Sequence, residues 1–195
     1  MTEIPELTRS DLPELEPIFK MVEGNMGFVP NSMLTMAHWP ELVPAFGGFA
    51  GTVIGGGELD AGLKQLLAFI VSNAAGCRYC QAHTSHNATR QGVSPEKLQA
   101  AFEFEQSELF TAAERAALRV ALHAGMVPNA VSPEHIAELR QHFSDKQCVE
   151  IVAVVSLFGF LNRWNDTMAT TLESHPKEFA AETLGQHGWL AGKHD

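Results

Sequence analysis

The sequence LDAGLKQLLAFIVSNAAGCRYCQAHTSHN, which covers residues 59–87, predicts two consecutive helices that carry a pair of cysteines. Apolar residues recur at intervals of three and four along 59–75, which is the pattern of a helix with a buried face. Gly76 ends this helix, because glycine readily adopts the left-handed conformation found at helix C-termini. A second helix begins at once, so Cys77 and Cys80 are expected in its first turn.

Composition and charge limit the possible functions. The chain has 195 residues, of which 45% are hydrophobic, and a formal net charge of −10. This charge argues against nucleic acid and anionic membrane surfaces as partners. The longest apolar run, around 151–161, is shorter than the roughly 20 residues that span a membrane, and no basic secretory leader is seen. With only three cysteines, two of them closely spaced, we expect a cytoplasmic protein whose cysteines react rather than crosslink.

Helix signals continue along the chain, and no strand-and-hairpin pattern occurs. We therefore predict an all-α fold of about eight helices in one domain over 1–195. Within it we expect an N-terminal extension over 1–23, a redox helix pair over 58–92 and a loose tail over 185–195. Further helices are predicted over 13–22, 33–37, 41–54, 94–105, 111–125, 132–143 and 145–171, with a short one opened by Pro176.

Glycines and polar residues mark where several of these helices begin and end. Gly24 is the expected end of the first helix, and Asp60 and Asp145 are expected N-caps. Thr111 and Glu114 form a capping-box pattern. The helix after Asp145 is apolar on all sides in its middle, so we expect it to be central and buried.

The position of the two cysteines favours redox chemistry. The first turn of a helix has free N–H groups and the positive end of the helix dipole, which stabilise a thiolate and lower its pKa. Arg78 adds a cation between Cys77 and Cys80. Residues three apart on a helix are close enough to form a disulfide after slight tightening of the turn.

Two other interpretations of this segment compete with redox chemistry. Cys77, Cys80, His83 and His86 have the spacing of four metal ligands, but on one helix their side chains spread over half the circumference. They cannot converge on one tetrahedral zinc ion, and the sequence has no second Cys-x-x-Cys pair to complete a site. A pair of inert buried cysteines stays open as an alternative.

Helix geometry also ranks the polar neighbours of the dithiol. Thr84 and Asn87 share the face of the two cysteines, and His83 lies about 60° from Cys80, so His83 is the candidate acid–base partner. A structural histidine is the alternative. His86 and Tyr79 are expected to pack, and Cys148 to be an inert core residue. The stretch 162–166 is either a helix end that reaches solvent or a polar pocket lining that includes Asn162 and Asp166.

At these residues the chain resembles the AhpD-like, or carboxymuconolactone decarboxylase, superfamily, and most of all its peroxidase-related branch with a Cys-x-x-Cys. The similarity spans most of 24–175, and its most specific part is 65–87. It is carried by the helix 63–75, the segment 76–83, Gly27-x-Val29-Pro30-Asn31, His38-x-Pro40-Glu41-Leu42 and Asn162-Arg163.

The resemblance implies an AhpD-like helical bundle that forms a homo-oligomer. Redox members of the family reduce hydroperoxides with the paired cysteines. The resemblance therefore implies a peroxide-attacking Cys80, a resolving Cys77, a small hydroperoxide substrate and an external dithiol reductant. No cofactor and no metal are predicted.

Two positions depart from the family's proton relay. Gln65 and Thr84 stand where the redox members carry glutamate and histidine. His83, one position before Thr84, is the expected substitute for the histidine. A carboxylate from another element could replace the glutamate, and the candidates are Glu58, Asp60 and Asp166.

The sequence thus predicts a thiol-dependent hydroperoxide reductase that uses a Cys77–Cys80 dithiol/disulfide cycle. One alternative is a lactone enzyme of the carboxymuconolactone decarboxylase type, which does not depend on paired cysteines. Another is a non-enzymatic thiol redox sensor.

Overall fold

The computed structural model describes residues 4–195, and all regular secondary structure in this range is helical. The predicted all-α fold is confirmed, with ten α-helices where about eight were expected. The helices are α1 Glu16–Met26, α2 Asn31–Met36, α3 Leu42–Ala50, α4 Ala61–Ala75, α5 Arg78–Arg90, α6 Pro95–Ala100, α7 Ala112–Gly125, α8 Pro133–His142, α9 Asp145–Met168 and α10 Ser174–Leu184.

Helix α4 lies at the centre of the molecule and packs against α5, α7 and α9. Its residues from Gly62 to Ser72 are all buried, because neighbouring helices cover it on every side. The start is capped as predicted, since Asp60 accepts a hydrogen bond from the Leu63 N–H at 3.0 Å. Gly76 ends the helix with a φ of 77° and turns the chain directly into α5.

Helices α1 to α3 build a second, smaller core around Phe19, Met36 and Val43. The predicted end of α1 at Gly24 is wrong, because the helix continues through that residue. It ends at Gly27, where a φ of 88° lets the N–H bond back to the Glu23 carbonyl. Glycine can adopt the left-handed conformation without strain, but its presence alone does not end a helix.

The glycine triplet at 55–57 separates α3 from α4, and neighbouring side chains hold it in place. It follows a π-helical turn at Gly51–Gly55. The buried Lys64 ammonium donates to the Val53 carbonyl at 2.9 Å. The Glu150 carboxylate accepts the N–H groups of Glu58 and Leu59. This segment is therefore fixed to α4 and α9.

Helix α9 differs from its prediction in two ways. Ser144, not Asp145, caps it, because the Ser144 hydroxyl accepts the Gln147 N–H. One face of the helix lies in the core, but the opposite face of the single chain is open. Val149 is 68% exposed and Val152 is 47% exposed. The expectation that α9 is central and buried is therefore wrong for this outer face of the helix.

The C-terminal segment 185–195 is packed instead of forming a loose tail. Trp189 and His194 are buried. The Leu172 N–H donates to the His194 carbonyl at 2.9 Å, and the Trp189 indole N–H donates to the Arg78 carbonyl at 3.4 Å. The segment thus covers the beginning of the dithiol helix.

Candidate active site

A cavity of about 480 Å³ lies between α1, α3, α5 and α9, beside the N-terminal half of α4. This volume is within the range of small-molecule sites. Most of the wall is apolar, with Met26, Phe46, Ile54, Leu157 and Phe158 among its residues. Polar residues also line it, among them Gln65, Cys80, His83, Thr84, Asn87 and Asn165.

The helix that carries the dithiol, α5, contributes residues to the wall of this cavity. The turn at Gly76 leaves Cys77 in an extended conformation as the N-cap of α5, where its sulfur accepts the Cys80 N–H at 3.4 Å. Both thiols are free and buried. Cys80 lines the cavity and Cys77 does not. Cys80 therefore borders the cavity, and the Cys77 sulfur lies against the Cys80 backbone.

Burial dominates the electrostatics of Cys80. It raises the pKa of the Cys80 thiol well above its ordinary value, and the hydrogen bond and charge of Cys77 raise it further. The Asn165 amide N–H donates to the Cys80 sulfur at 3.5 Å and acts in the opposite direction. The sequence predicts that the helix N-terminus lowers the thiol pKa. That prediction is therefore wrong for Cys80 in the closed site.

A mostly buried carboxylate, Glu173, whose side chain is 13% exposed, organises the groups beside the dithiol. It pairs with His83 Nε2 at 2.5 Å, and it accepts the Tyr79 hydroxyl at 2.9 Å and the Asn31 N–H at 2.5 Å. The Tyr79 ring stacks on the His83 ring with centroids 4.2 Å apart. Tyr79 thus does more than fill space, because its ring and its hydroxyl both fix the position of His83.

The environment keeps Glu173 ionised. Burial alone raises its pKa, but the charge and hydrogen bond of His83 and the Asn31 N–H outweigh burial, so the pKa lies below its usual value. Burial, together with the Glu173 charge, raises the pKa of Tyr79, which stays a neutral donor. Glu173 and His83 form an acid–base pair, of which His83 lines the cavity and Glu173 lies behind it.

Sequence reasoning missed Glu173. The three proposed carboxylates serve elsewhere, since Asp60 caps α4, Glu58 pairs with Lys146 and Asp166 pairs with Lys193. Glu173 is 90 residues from His83 in the sequence and comes near it through the packing of α10 on α5. Its one local signal is its place at the N-cap of α10.

The remaining predicted site residues divide into two groups. Gln65, Thr84 and Asn87 line the cavity, and the Thr84 hydroxyl donates to the Cys80 carbonyl at 2.7 Å. Asn162 and Asp166 lie outside the lining. The Asn162 amide instead donates to the Val71 carbonyl at 3.5 Å. Within the stretch 162–166 the residue at the site is Asn165, which the helical rotation directs toward Cys80.

Two residues lie outside the site: His86 packs as expected, whereas Cys148 is less buried than the core position expected of it. His86 packs between Phe28 and Phe179 on the far side of α5. Cys148 is half-buried and away from the cavity lining. Within residues 4–195 no three His, Cys, Asp or Glu side chains are grouped to hold a metal ion.

Comparisons with known proteins agree with this architecture. The model of the carboxymuconolactone decarboxylase family matches residues 40–123. The debrominase Bmp8 is 42% identical, with 94% of this chain and 98% of that chain covered and a TM-score of 0.88. A second structure of Bmp8 is a cysteine-to-alanine variant in complex with 2,3,4-tribromopyrrole.

More distant proteins share the fold and parts of the sequence. A peroxidase-related protein from Ralstonia eutropha JMP134, with an alkylhydroperoxidase AhpD core, is 26% identical. The match covers 92% of this chain and 95% of that one, with a TM-score of 0.80. The uncharacterized protein YdfG of Bacillus subtilis is 25% identical over 104 residues, which are 52% of this chain and 68% of YdfG.

Proposed function

Because the chain belongs to the peroxidase-related branch of the AhpD-like, or carboxymuconolactone decarboxylase, superfamily, we propose that it is a dithiol-dependent reductase that removes halogen from a small aromatic ring. The observation that carries this proposal is the position of Cys80 on the cavity wall with Cys77 directly behind it. One sulfur can attack a ligand, and the other can resolve the product.

Two further observations support the substrate class. The similarity to a debrominase extends over almost the whole chain, and one structure of that protein holds a brominated pyrrole. The cavity also has mostly apolar walls that include Phe46, Leu157 and Phe158, which suit a halogenated ring.

In the proposed first step, His83 takes the proton of Cys80, and the thiolate attacks the halogen atom. A sulfur–halogen bond forms, the carbon–halogen bond breaks, and its electron pair stays on the ring carbon. His83 then returns the proton to that carbon and gives a C–H bond. Glu173 holds Nε2 of His83, which leaves Nδ1 for these transfers.

In the second step the Cys77 sulfur attacks Cys80. The disulfide forms, halide leaves with the electrons of the sulfur–halogen bond, and Cys77 loses its proton. The substrate has gained two electrons, and the dithiol has lost two. An external dithiol then reduces the Cys77–Cys80 disulfide by thiol–disulfide exchange.

Reduction of a small organic hydroperoxide is the second candidate. The same two sulfurs would serve, with Cys80 attacking the outer oxygen to give a sulfenic acid and an alcohol, and Cys77 condensing with it to release water. The similarity to the peroxidase-related protein of Ralstonia eutropha favours it. The relay that the family resemblance implies is altered, however, since Gln65 and Thr84 replace its glutamate and histidine.

The test compares both substrate classes under one reductant. Reduced protein is incubated with dithiothreitol and either 2,3,4-tribromopyrrole or cumene hydroperoxide, and bromide release and peroxide loss are measured. We expect bromide release that Cys80→Ser abolishes and that Cys148→Ser, the matched control, leaves at the wild-type rate. Bromide release by Cys80→Ser at the wild-type rate would exclude the mechanism.

The other results separate the alternatives. Peroxide loss without bromide would select the hydroperoxide reductase. Oxidation of Cys77 and Cys80 without turnover of either compound would favour the redox sensor. Ring-opening activity that survives alkylation of both thiols would favour the lactone enzyme.

A further inference from the structure

Two amide oxygens at the cavity have no hydrogen-bond partner. Gln65 is 5% exposed and Asn165 is 1% exposed, and both residues line the cavity. Gln65 Oε1 and Asn165 Oδ1 are buried without a donor. Among the unpartnered buried side-chain atoms of residues 4–195, these are the two that belong to the cavity lining. Buried polar atoms are nearly always satisfied, so a ligand is the natural source of the missing donor.

The orientation of Asn165 links this unmet acceptor to the reacting sulfur. Its amide nitrogen donates to the Cys80 sulfur at 3.5 Å, which leaves its oxygen as the free end. Gln65 projects from α4, which packs against α5, and its amide side chain is uncharged. Both neutral acceptors thus belong to the cavity that Cys80 lines, and Asn165 is the one in contact with its sulfur.

Two hydroxyl groups of the lining are already engaged within the protein. The Thr84 hydroxyl is engaged by the Cys80 carbonyl, and the Tyr79 hydroxyl is engaged by Glu173. An amide oxygen accepts and cannot donate, so it selects a ligand with an N–H or O–H group. The rest of the wall is apolar and suits a ring.

We propose that Gln65 and Asn165 form an acceptor pair that recognises a ring N–H, and that the substrate is a halogenated azole of the pyrrole type. This inference rests on the proposed function and adds the substrate class to it. The ring N–H fixes the orientation of the ring, and the apolar wall holds its halogen atoms near Cys80. A specific donor requirement rejects N-substituted analogues, because the buried acceptors then stay unpaired.

Binding is measured first, so that the test does not depend on turnover. The Cys80→Ala variant, which cannot react, is titrated with 2,3,4-tribromopyrrole and with its N-methyl derivative. We expect the N–H ring to bind about 10-fold or more tightly than the N-methyl ring, which is the size of one buried hydrogen bond. Gln65→Leu in the same background should bring this ratio close to one.

Two further variants make the result specific. Gln65→Glu keeps an acceptor oxygen, so it should retain the preference for the N–H ring. Thr84→Val, a matched polar-to-apolar change in the lining, should alter the binding of both rings by the same factor. Circular dichroism checks that each variant is folded.

The proposal is overturned if Gln65→Leu and Asn165→Leu both keep the full N–H preference, or if neither ring binds to folded Cys80→Ala protein. A clear N–H preference without bromide release by the wild type would instead support the recognition site and remove the proposed reaction. The two failures are therefore distinguishable.

Discussion

At the scale of single residues, the surroundings of Cys80 determine its reactivity. Its first-turn position favours the thiolate, but the closed cavity and the neighbouring Cys77 raise the pKa of the Cys80 thiol. The thiolate must therefore form with help from a nearby base or from the bound substrate. In the proposed mechanism His83, held by Glu173, is that base, and the Asn165 amide donates to the sulfur.

The raised pKa of Cys80 predicts how alkylation depends on pH. A thiol with a raised pKa is protonated at neutral pH, so its reaction with iodoacetamide should accelerate as pH rises through and above the ordinary value near 8.5. The Cys77→Ser/Cys148→Ser variant leaves Cys80 as the single cysteine. Removing Cys77 takes away one cause of the raised pKa of Cys80, but burial of the Cys80 thiol still raises it. A rate that is already constant below pH 8 would contradict the assignment.

Glu173→Gln tests the positioning role of the buried carboxylate. The amide keeps the shape of the side chain but cannot hold a charged His83, so we expect kcat to fall by about 10- to 100-fold. The pH profile of kcat should also change, which a purely structural role would not produce. Glu178→Gln, at a carboxylate that does not line the cavity, is the matched control and should leave the profile unchanged.

The same substitution has a signature in stability. The pKa of Glu173 is lower in the folded chain, so the carboxylate contributes stability that is present above the unfolded value, 4.5. This contribution is lost as the pH falls through the lower folded value. The wild type should therefore exceed Glu173→Gln in unfolding free energy at pH 7, and the gap should shrink below pH 4.5. A gap that stays constant down to pH 3 would contradict the ionised state.

The sequence could group Cys77, Cys80 and His83 as candidate residues because their spacing on one helix is local information. Sequence reasoning missed Glu173 because that residue meets His83 only after α10 packs against α5. It selected Asn162 and Asp166 in place of Asn165, since residues of one polar cluster are separated only by helical rotation. The pKa of Cys80 was misjudged because burial depends on the whole fold.

At the scale of elements, the hydrophobic period and capping residues located most helices. The capping box of Thr111 and Glu114 at α7 and the Asp60 cap at α4 formed as predicted. Helix ends were less predictable, as the passage of α1 through Gly24 illustrates. A glycine in the sequence therefore does not by itself determine where a helix ends.

The contact between α7 and α4 offers a test at this scale. A Cβ added at Gly125 would lie 2.7 Å from the Ala74 Cβ and 2.9 Å from the Val71 carbonyl oxygen. Gly125→Ala should therefore destabilise the chain by about 1–3 kcal/mol in urea unfolding. Gly48→Ala is the control, because that helical glycine is open, and it should stabilise by about 0.5–1 kcal/mol. Equal effects of both changes would contradict the close approach of the helices.

At the scale of the whole molecule, α9 contributes one face to the core and leaves its opposite face open. The helix has 24 residues and is long and apolar enough to span a membrane by composition alone. Its inner face instead packs in the core and carries Asn162 and Asn165. The apolar outer face explains why the sequence suggested burial on all sides, since the sequence does not distinguish a core contact from a contact between protomers.

We propose that this outer face, with Val149, Val152 and Phe160 exposed, pairs with a second copy of the chain. The family resemblance implies a homo-oligomer, and an exposed apolar stripe on a straight helix can pair with itself about a two-fold axis. Val152→Glu should shift the mass in light scattering toward that of one chain. Leu109→Glu, an exposed site away from α9, should not. A monomeric wild type would contradict this interface.

The most direct test of the central claim is a single turnover of prereduced protein with 2,3,4-tribromopyrrole in the absence of external thiol. Bromide is counted by ion chromatography, and the disulfide is located by peptide mass spectrometry. The account predicts one bromide for each Cys77–Cys80 disulfide formed and none from Cys80→Ser. Bromide release while both thiols stay reduced would contradict it.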